Sequence, residues 1–387
     1  MAEGGLYQMA ALEVATGWVP GYVEGGSVRR RARGVSPRRA LEQALLPALL
    51  RFPCVVTFSG GRDSSAVLAV ATDLARREGL PSPLPITKVY PGVAETDETS
   101  WQELVIRHLG LGEWTRLEFT DELDLVGPVA ATVLSRHDVL WPALVHAELP
   151  IFEVAKNGAI ITGQGGDEIF GRVRASPVRY ALASKSQPSR WLTRDVAEAV
   201  APRRLRRQIL EAKVRQDLEA YLWLRPAARD AFGQAILADR LGEPFAWHRS
   251  ARRLLDRRTW RIGSETIALL ARESGVDCVV HPLHDERFID ALASLAGRTG
   301  FTGRRAAMTA VFGDLLPRAL LERRSKAYFN PVSFTRHSRE FVKAWSGNGV
   351  NAELVDPDAL EREWQSSMPH AGSYLLLQSA WLAGQRP

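Results

Sequence analysis

The sequence predicts an α/β fold built on a parallel sheet, and three observations carry that prediction. Short apolar runs at Cys54–Phe58, Ile86–Tyr90, Trp114–Phe119 and Ala159–Thr162 alternate with stretches whose apolar residues recur at helical spacing. Two of these runs stop at glycine-rich loops, Ser59-Gly60-Gly61 and Gly163-Gln164-Gly165-Gly166, as parallel strands do when they feed crossover helices. Beyond Gly171 β-branched residues thin out, and the chain reads as helical to its end. The expectation is a parallel five-stranded-type sheet with flanking helices, followed by a helical C-terminal half.

Residues 1–35 are Gly-rich and end in the basic run Arg29–Arg33, which suggests an irregular or short-strand lead-in. Ser36-Pro37 then supplies an N-cap and a proline at the first helical position. Ala40, Leu41, Ala44, Leu45, Ala48 and Leu49 mark an amphipathic helix that Pro47 interrupts. Further helices are expected over Ser64–Arg77, Glu98–Leu109, Leu125–Arg136, Ala147–Lys156 and Glu286–Ala296. Residues 176–260 read as helical throughout, and 261–387 continue so, punctuated at His281-Pro282, Gly297–Gly303 and Asn330-Pro331.

Composition narrows the function classes. With 387 residues, 45% of them hydrophobic, the chain can bury a sizeable core and is not a disordered one. It has no uncharged apolar run long enough to span a bilayer, and Met1–Gly17 lacks the pattern of a secretory signal, so a cytoplasmic protein without membrane contact is expected. The two cysteines, Cys54 and Cys278, sit in apolar surroundings and read as small buried hydrophobes. The net charge of +6 permits an acidic partner such as a nucleotide or acidic peptide, while nothing points to nucleic acid. Only Lys88, Lys156, Lys185, Lys213, Lys326 and Lys343 are lysines among 50 basic residues, so a lysine at a chemical position stands out. His108, His137, His146, His248 and His370 show no metal-ligand spacing, and Trp247, Trp260 and Trp381 read as core. The cluster Arg203, Arg204, Arg206 and Arg207 reads as a solvated helix face, with a grip on an acidic peptide as its functional alternative.

The chemistry concentrates in four segments. Phe58-Ser59-Gly60-Gly61-Arg62-Asp63-Ser64-Ser65 joins a strand to a helix. Glycines there let the backbone approach a phosphate, amides at the helix start point at it, and serine hydroxyls add donors. A carboxylate in such a loop suits an anion only with a cation between them, so Asp63 reads as a Mg²⁺ ligand facing a pyrophosphate. The Gly-Lys-Ser/Thr of a P-loop NTPase is absent. Thr162-Gly163-Gln164-Gly165-Gly166-Asp167-Glu168-Ile169-Phe170-Gly171 closes the fourth strand and places a second carboxylate, Asp167, past a strand C-terminus, where open α/β sheets bind ligands. Asp285, in His281-Pro282-Leu283-His284-Asp285, either caps a helix or organises the site. Leu316-Pro317 precedes Arg323-Arg324-Ser325-Lys326-Ala327-Tyr328-Phe329, a basic cluster holding one of the rare lysines.

The first segment resembles the pyrophosphate loop of the PP-loop ATP pyrophosphatases, which have an adenine nucleotide α-hydrolase-like fold. The second is similar to the Ser-Gly-Glu-Gly-x-Asp-Glu-x-Phe-Gly-Gly segment of the asparagine synthetase family, with Gln164 in place of its Glu and Arg172 in place of its last Gly. The third and fourth resemble that family's Arg-x-Pro-Phe-Leu-Asp and Leu-Pro…Arg-x-Lys-x-x-Phe segments. The resemblance runs from residue 36 to the C-terminus. It implies an ATP-binding α/β core at 36–175, a helical insert at 176–260 and a helical part at 261–387 completing the site.

On this resemblance Val56, Phe58, Ser59, Gly60, Gly61, Asp63, Ser64, Ser65, Gly163 and Gly165 bind ATP, and Asp63 and Asp167 hold Mg²⁺. Lys326 is implied as the catalytic lysine, with Glu168 as an acid–base or orienting group. Ala2 stands where active glutaminases carry a nucleophilic cysteine, so this chain is not expected to hydrolyse glutamine. The expected activity is AMP-forming amide synthesis through an acyl-adenylate, as in β-lactam synthetases and lasso-peptide macrocyclases. The substrate would be a small-molecule or peptide carboxylate, the partners a precursor peptide and a companion protease. Ammonia-dependent asparagine synthesis and a non-catalytic peptide-binding role are the alternatives.

Overall fold

Val55 and Val56 are neighbours on strand β1 (Cys54–Thr57), yet they serve different cores, because successive side chains on a strand leave opposite faces. Val56 packs with Leu41, Leu45, Val67 and Val70, whereas Val55 packs with Ile86, Ile151, Phe152 and Leu270. On β4 (Ala159–Ile161), Ile161 and Ile160 repeat the division. Both faces are covered, which is why these strands read as continuous apolar runs. With β2 (Leu84–Val89), β3 (Thr115–Glu118) and β5 (Cys278–Val280) they form a five-stranded parallel sheet in the order β3-β2-β1-β4-β5. The structure, a computed structural model, describes residues 6–23, 34–183 and 190–385. The basic run Arg29–Arg33, Ala2 and Lys185 lie outside the described residues.

The helices that position the site follow their local signals. Ser36 Oγ accepts from the Arg39 amide at 3.2 Å and opens the helix Pro37–Leu49, which continues through Pro47. The helix Arg62–Arg77 starts directly on the glycine loop after β1. The strand order reverses between β1 and β4, so the loops leaving these two strands flank the crevice at the sheet's C-terminal edge.

The structure differs from the sequence reading at several elements. Residues 278–280, expected within a helical stretch, form β5 and pair in parallel with β4. Three residues carry no periodicity, and it is the otherwise open edge of β4 that makes them a strand. The lead-in contains a helix, Ala11–Thr16. Six residues are too few to be stable alone, and tertiary contacts hold them: Glu13 accepts from the Ala10 amide and Tyr7 hydroxyl and pairs with Arg258, while Trp223 Nε1 donates to the Ala15 carbonyl. The expected helix at 147–156 is a 3₁₀ turn, Val145–Glu148, followed by Leu149–Val154, and the one at 125–136 starts at Pro128. Arg206 is buried rather than solvated, its guanidinium donating to the carbonyls of Arg240 and Leu241 at the end of a neighbouring helix. Cys54 is buried, which pushes its thiol up to about 12, whereas Cys278 is only half-buried. Trp247 is core, but Trp260 and Trp381 are partly exposed. Among the described residues no helix is long and apolar enough to cross a membrane.

Candidate active site

Gly60 begins the site, with a backbone φ of +79° that a side chain rarely adopts. Its turn lets Ser59 and Ser64 face each other, with hydroxyls 3.1 Å apart and the Ser59 amide donating to Ser64 Oγ at 3.2 Å. Gln102 Nε2 fixes the loop from outside through the Ser59 carbonyl at 3.2 Å. The second loop is pressed against the first: a β-carbon on Gly163 would lie 2.8 Å from the Ser64 amide nitrogen, and one on Gly166 2.2 Å from Asp63 Cγ. Only glycines at 163 and 166 allow the two loops to close to this distance.

That approach brings Asp63 and Asp167 together. The Arg304 guanidinium bridges them, donating to Asp63 Oδ2 and, at 2.5 Å, to Asp167 Oδ1, and Lys326 Nζ stands 3.1 Å from Asp167 Oδ2. Asp63 Oδ1 is buried with no partner. Burial raises the Asp63 carboxyl above the usual range, partly opposed by Arg304. At Asp167 partial burial acts the same way, but hydrogen bonds and charge from Arg304 and Lys326 prevail and lower it. These groups line a cavity of about 570 Å³ that runs inward past Ile86, Leu144 and Ile151 to the ion pair of Lys88 and Glu148, 3.0 Å apart.

The segment carrying Lys326 is held by Arg323. Its guanidinium is buried, pairs with Glu98, and donates to the carbonyls of Gly60 (3.1 Å) and Ser325 (2.8 Å). Two glycine loops at a strand switch point thus converge on a facing pair of aspartates and a tethered lysine. In keeping with this, the sequence model of the asparagine synthase family matches residues 38–382. The chain belongs to the asparagine synthase family. The family is one of ATP-dependent ligases that form amide bonds. No curated protein matches the chain.

For this asparagine synthase family member, Phe58, Ser59, Gly61, Asp63, Ser64, Gly163, Asp167 and Lys326 all line the main cavity. Val56 and Ser65 do not: both are fully buried, and the Ser65 amide is spent on the Gly61 carbonyl within the helix. Gly60 and Gly165 are absent from the lining, and their positive φ angles shape the turns. Glu168 faces away from the main cavity and lines a second, smaller one. Asp285 is a helix cap, accepting from the amides of Arg287 and Phe288.

Sequence reasoning missed Arg304, Glu98 and the Lys88–Glu148 pair, and it gave Arg323, within the fourth segment, no role of its own. Arg304 follows a glycine-rich stretch with no motif of its own, but the rarity of lysine was a usable signal for Lys88.

Two predictions arise here. Arg323→Ala would leave the Glu98 carboxylate buried and unpaired, and breaking a buried pair typically costs about 3–5 kcal/mol. A clear fall in denaturation midpoint is expected, and an unchanged midpoint would show that the pair does not hold the segment. His281 is the second. Its Nδ1 lies 2.7 Å from Thr162 Oγ1, and that hydroxyl accepts from the Gln164 amide. Burial holds the imidazole at about 4, against an ordinary value of about 6.5. The native state thus favours neutral His281, while the unfolded chain takes up a proton below about pH 6.5. Its contribution is constant above that pH and declines between pH 6.5 and 4, by roughly 3 kcal/mol in all. Chemical denaturation of wild type and His281→Gln at about pH 7 and 5 tests this, the variant losing less stability on acidification.

Proposed function

We propose that this chain is an ATP- and Mg²⁺-dependent amide synthetase that activates a carboxylate as its acyl-adenylate, releases pyrophosphate and AMP, and serves natural-product biosynthesis. The observation that carries this reading is the meeting of Asp63 and Asp167 at the strand switch point, with Lys326 against Asp167. Mg²⁺ fits the pair. Asp63 Oδ1 is a buried oxygen in want of a partner, and among the described residues no cluster of three or more His, Cys, Asp or Glu exists that would favour a closed metal cage. A pair of carboxylates leaves room for the waters and phosphate oxygens that Mg²⁺ usually keeps. When bound, Mg²⁺ supplies neutralisation of charge on the departing pyrophosphate.

The chain's own residues do the rest. Amides at the start of the helix Arg62–Arg77 and the hydroxyls of Ser59 and Ser64 hold phosphate oxygens. Arg304 neutralises the two aspartates that it bridges. The substrate carboxylate attacks the α-phosphorus, and Lys326 balances negative charge as an amine adds to the acyl carbon. Gln164 at the border of the site, where the resembling family carries Glu, favours a natural-product substrate over aspartate. In its lasso-type form the reading calls for a precursor peptide and a companion protease as partners. The test is ATP–pyrophosphate exchange with a panel of small-molecule and peptide carboxylates. AMP and pyrophosphate should form in equal amounts and only with a carboxylate present; ADP and phosphate instead would overturn the assignment.

A further inference from the structure

Behind Gln164 lies a second cavity of about 180 Å³, and Gln164 borders both it and the main cavity. Three of the chain's 11 tryptophans line it, Trp18, Trp141 and Trp260. Trp260 is stacked on His284 with ring centres 3.7 Å apart, which gives a flat, supported wall. Trp141 stands edge-on to Trp18 and is pinned by its Nε1 donating to the Thr259 carbonyl at 3.0 Å. A cavity of about 150 Å³ holds one benzene, so this one admits a single ring with short substituents.

Glu168 and Arg257 also line it, and neither side chain has a hydrogen-bond or ion-pair partner among the described residues, not even each other. Unpaired charges of opposite sign on the lining of one cavity complement a zwitterion, a carboxylate taking the ammonium and a guanidinium taking the carboxylate. Tryptophan walls favour an aromatic ring between them. We propose that the second cavity binds a free aromatic α-amino acid, ammonium on Glu168, carboxylate on Arg257 and ring among the tryptophans.

The test is calorimetric binding to the full chain, with L-phenylalanine as probe and no turnover required. L-Phenylalanine should saturate. 3-Phenylpropionate, which lacks the ammonium, and L-phenylalaninamide, which lacks the carboxylate, should each bind about tenfold more weakly or worse. Glu168→Gln should erase the difference between L-phenylalanine and 3-phenylpropionate, and Arg257→Gln the difference between L-phenylalanine and its amide. Gly263→Leu fills the cavity from the helix Arg258–Glu273 and should abolish binding. A β-carbon there meets Trp141 and Pro142 at an ordinary 3.7 Å, so the helix accepts it. ATP-dependent thermal stabilisation, followed in parallel, separates the two readings: its absence in wild type counts against the ligase, whereas its presence without L-phenylalanine binding below about 10 mM overturns only the second site. Equal binding of all three compounds would also overturn it.

Discussion

Asp63→Asn and Asp167→Asn are each expected to reduce ATP–pyrophosphate exchange by about 10³-fold or more while the protein stays folded. The size follows from the work assigned to the pair. In the proposed reaction pyrophosphate would leave with charge that a metal held by the pair would neutralise, and interactions of this kind are among the largest in catalysis. An amide oxygen is a poor substitute for a carboxylate toward Mg²⁺. Folding should survive for different reasons at the two positions. Asp167 is 60% exposed, so its contacts with Arg304 and Lys326 contribute little to stability. Asp63 is only 18% exposed, but the Asp63→Asn exchange keeps the side-chain volume, and Arg304 retains Asp167 as a partner. A Mg²⁺ titration of exchange should show a raised half-saturation for any residual activity. Near-wild-type exchange by either variant would remove that aspartate from the metal site.

Motifs at strand ends were legible in the sequence because they depend on local chemistry. A glycine turn, an acid after it and a helix start leave a signature within a few residues, and both loops were placed correctly by it. The same locality explains where that signature stops. Ser65 shares the loop's composition with Ser64, yet the first helical turn rotates it into the core, and only the three-dimensional packing of the helix Arg62–Arg77 distinguishes the two. Glu168 follows Asp167 directly but points to a different cavity for a similar reason, since successive helical residues lie about 100° apart. Arg304 was invisible as a site residue, and Arg323 stood in the basic segment without a legible partner, because arginine is abundant in this chain and their partners, Asp63 and Gly60, are far away in sequence. Arg206 reverses the lesson. It looks like one of four surface charges, and it is buried because a neighbouring helix end offers unpaired carbonyls.

Lys326→Ala should slow single-turnover product formation by about 10²–10³-fold, the usual result of losing one preorganised group that faces developing negative charge. The geometry sets two conditions on that expectation. Lys326 is 78% exposed, so against solvent its pair with Asp167 is weak, and the variant should melt close to wild type. Its effect on rate depends on substrate covering it, when water is displaced and the same charge acts in a less polar surrounding. The backbone is already placed for this: Arg323 ties Ser325 to the Gly60 carbonyl, and the Tyr328 amide donates to the Glu95 carbonyl at 2.9 Å. Anchors on both sides hold Lys326 at the cavity mouth before any ligand arrives, so little ordering remains to oppose the reaction. Lys326→Arg should recover only part of the rate, because a planar guanidinium is larger and spreads its charge. A folded Lys326→Ala protein that keeps more than about a third of the wild-type rate would sink the assignment, since a transition-state contact of this size cannot be lost with so small an effect.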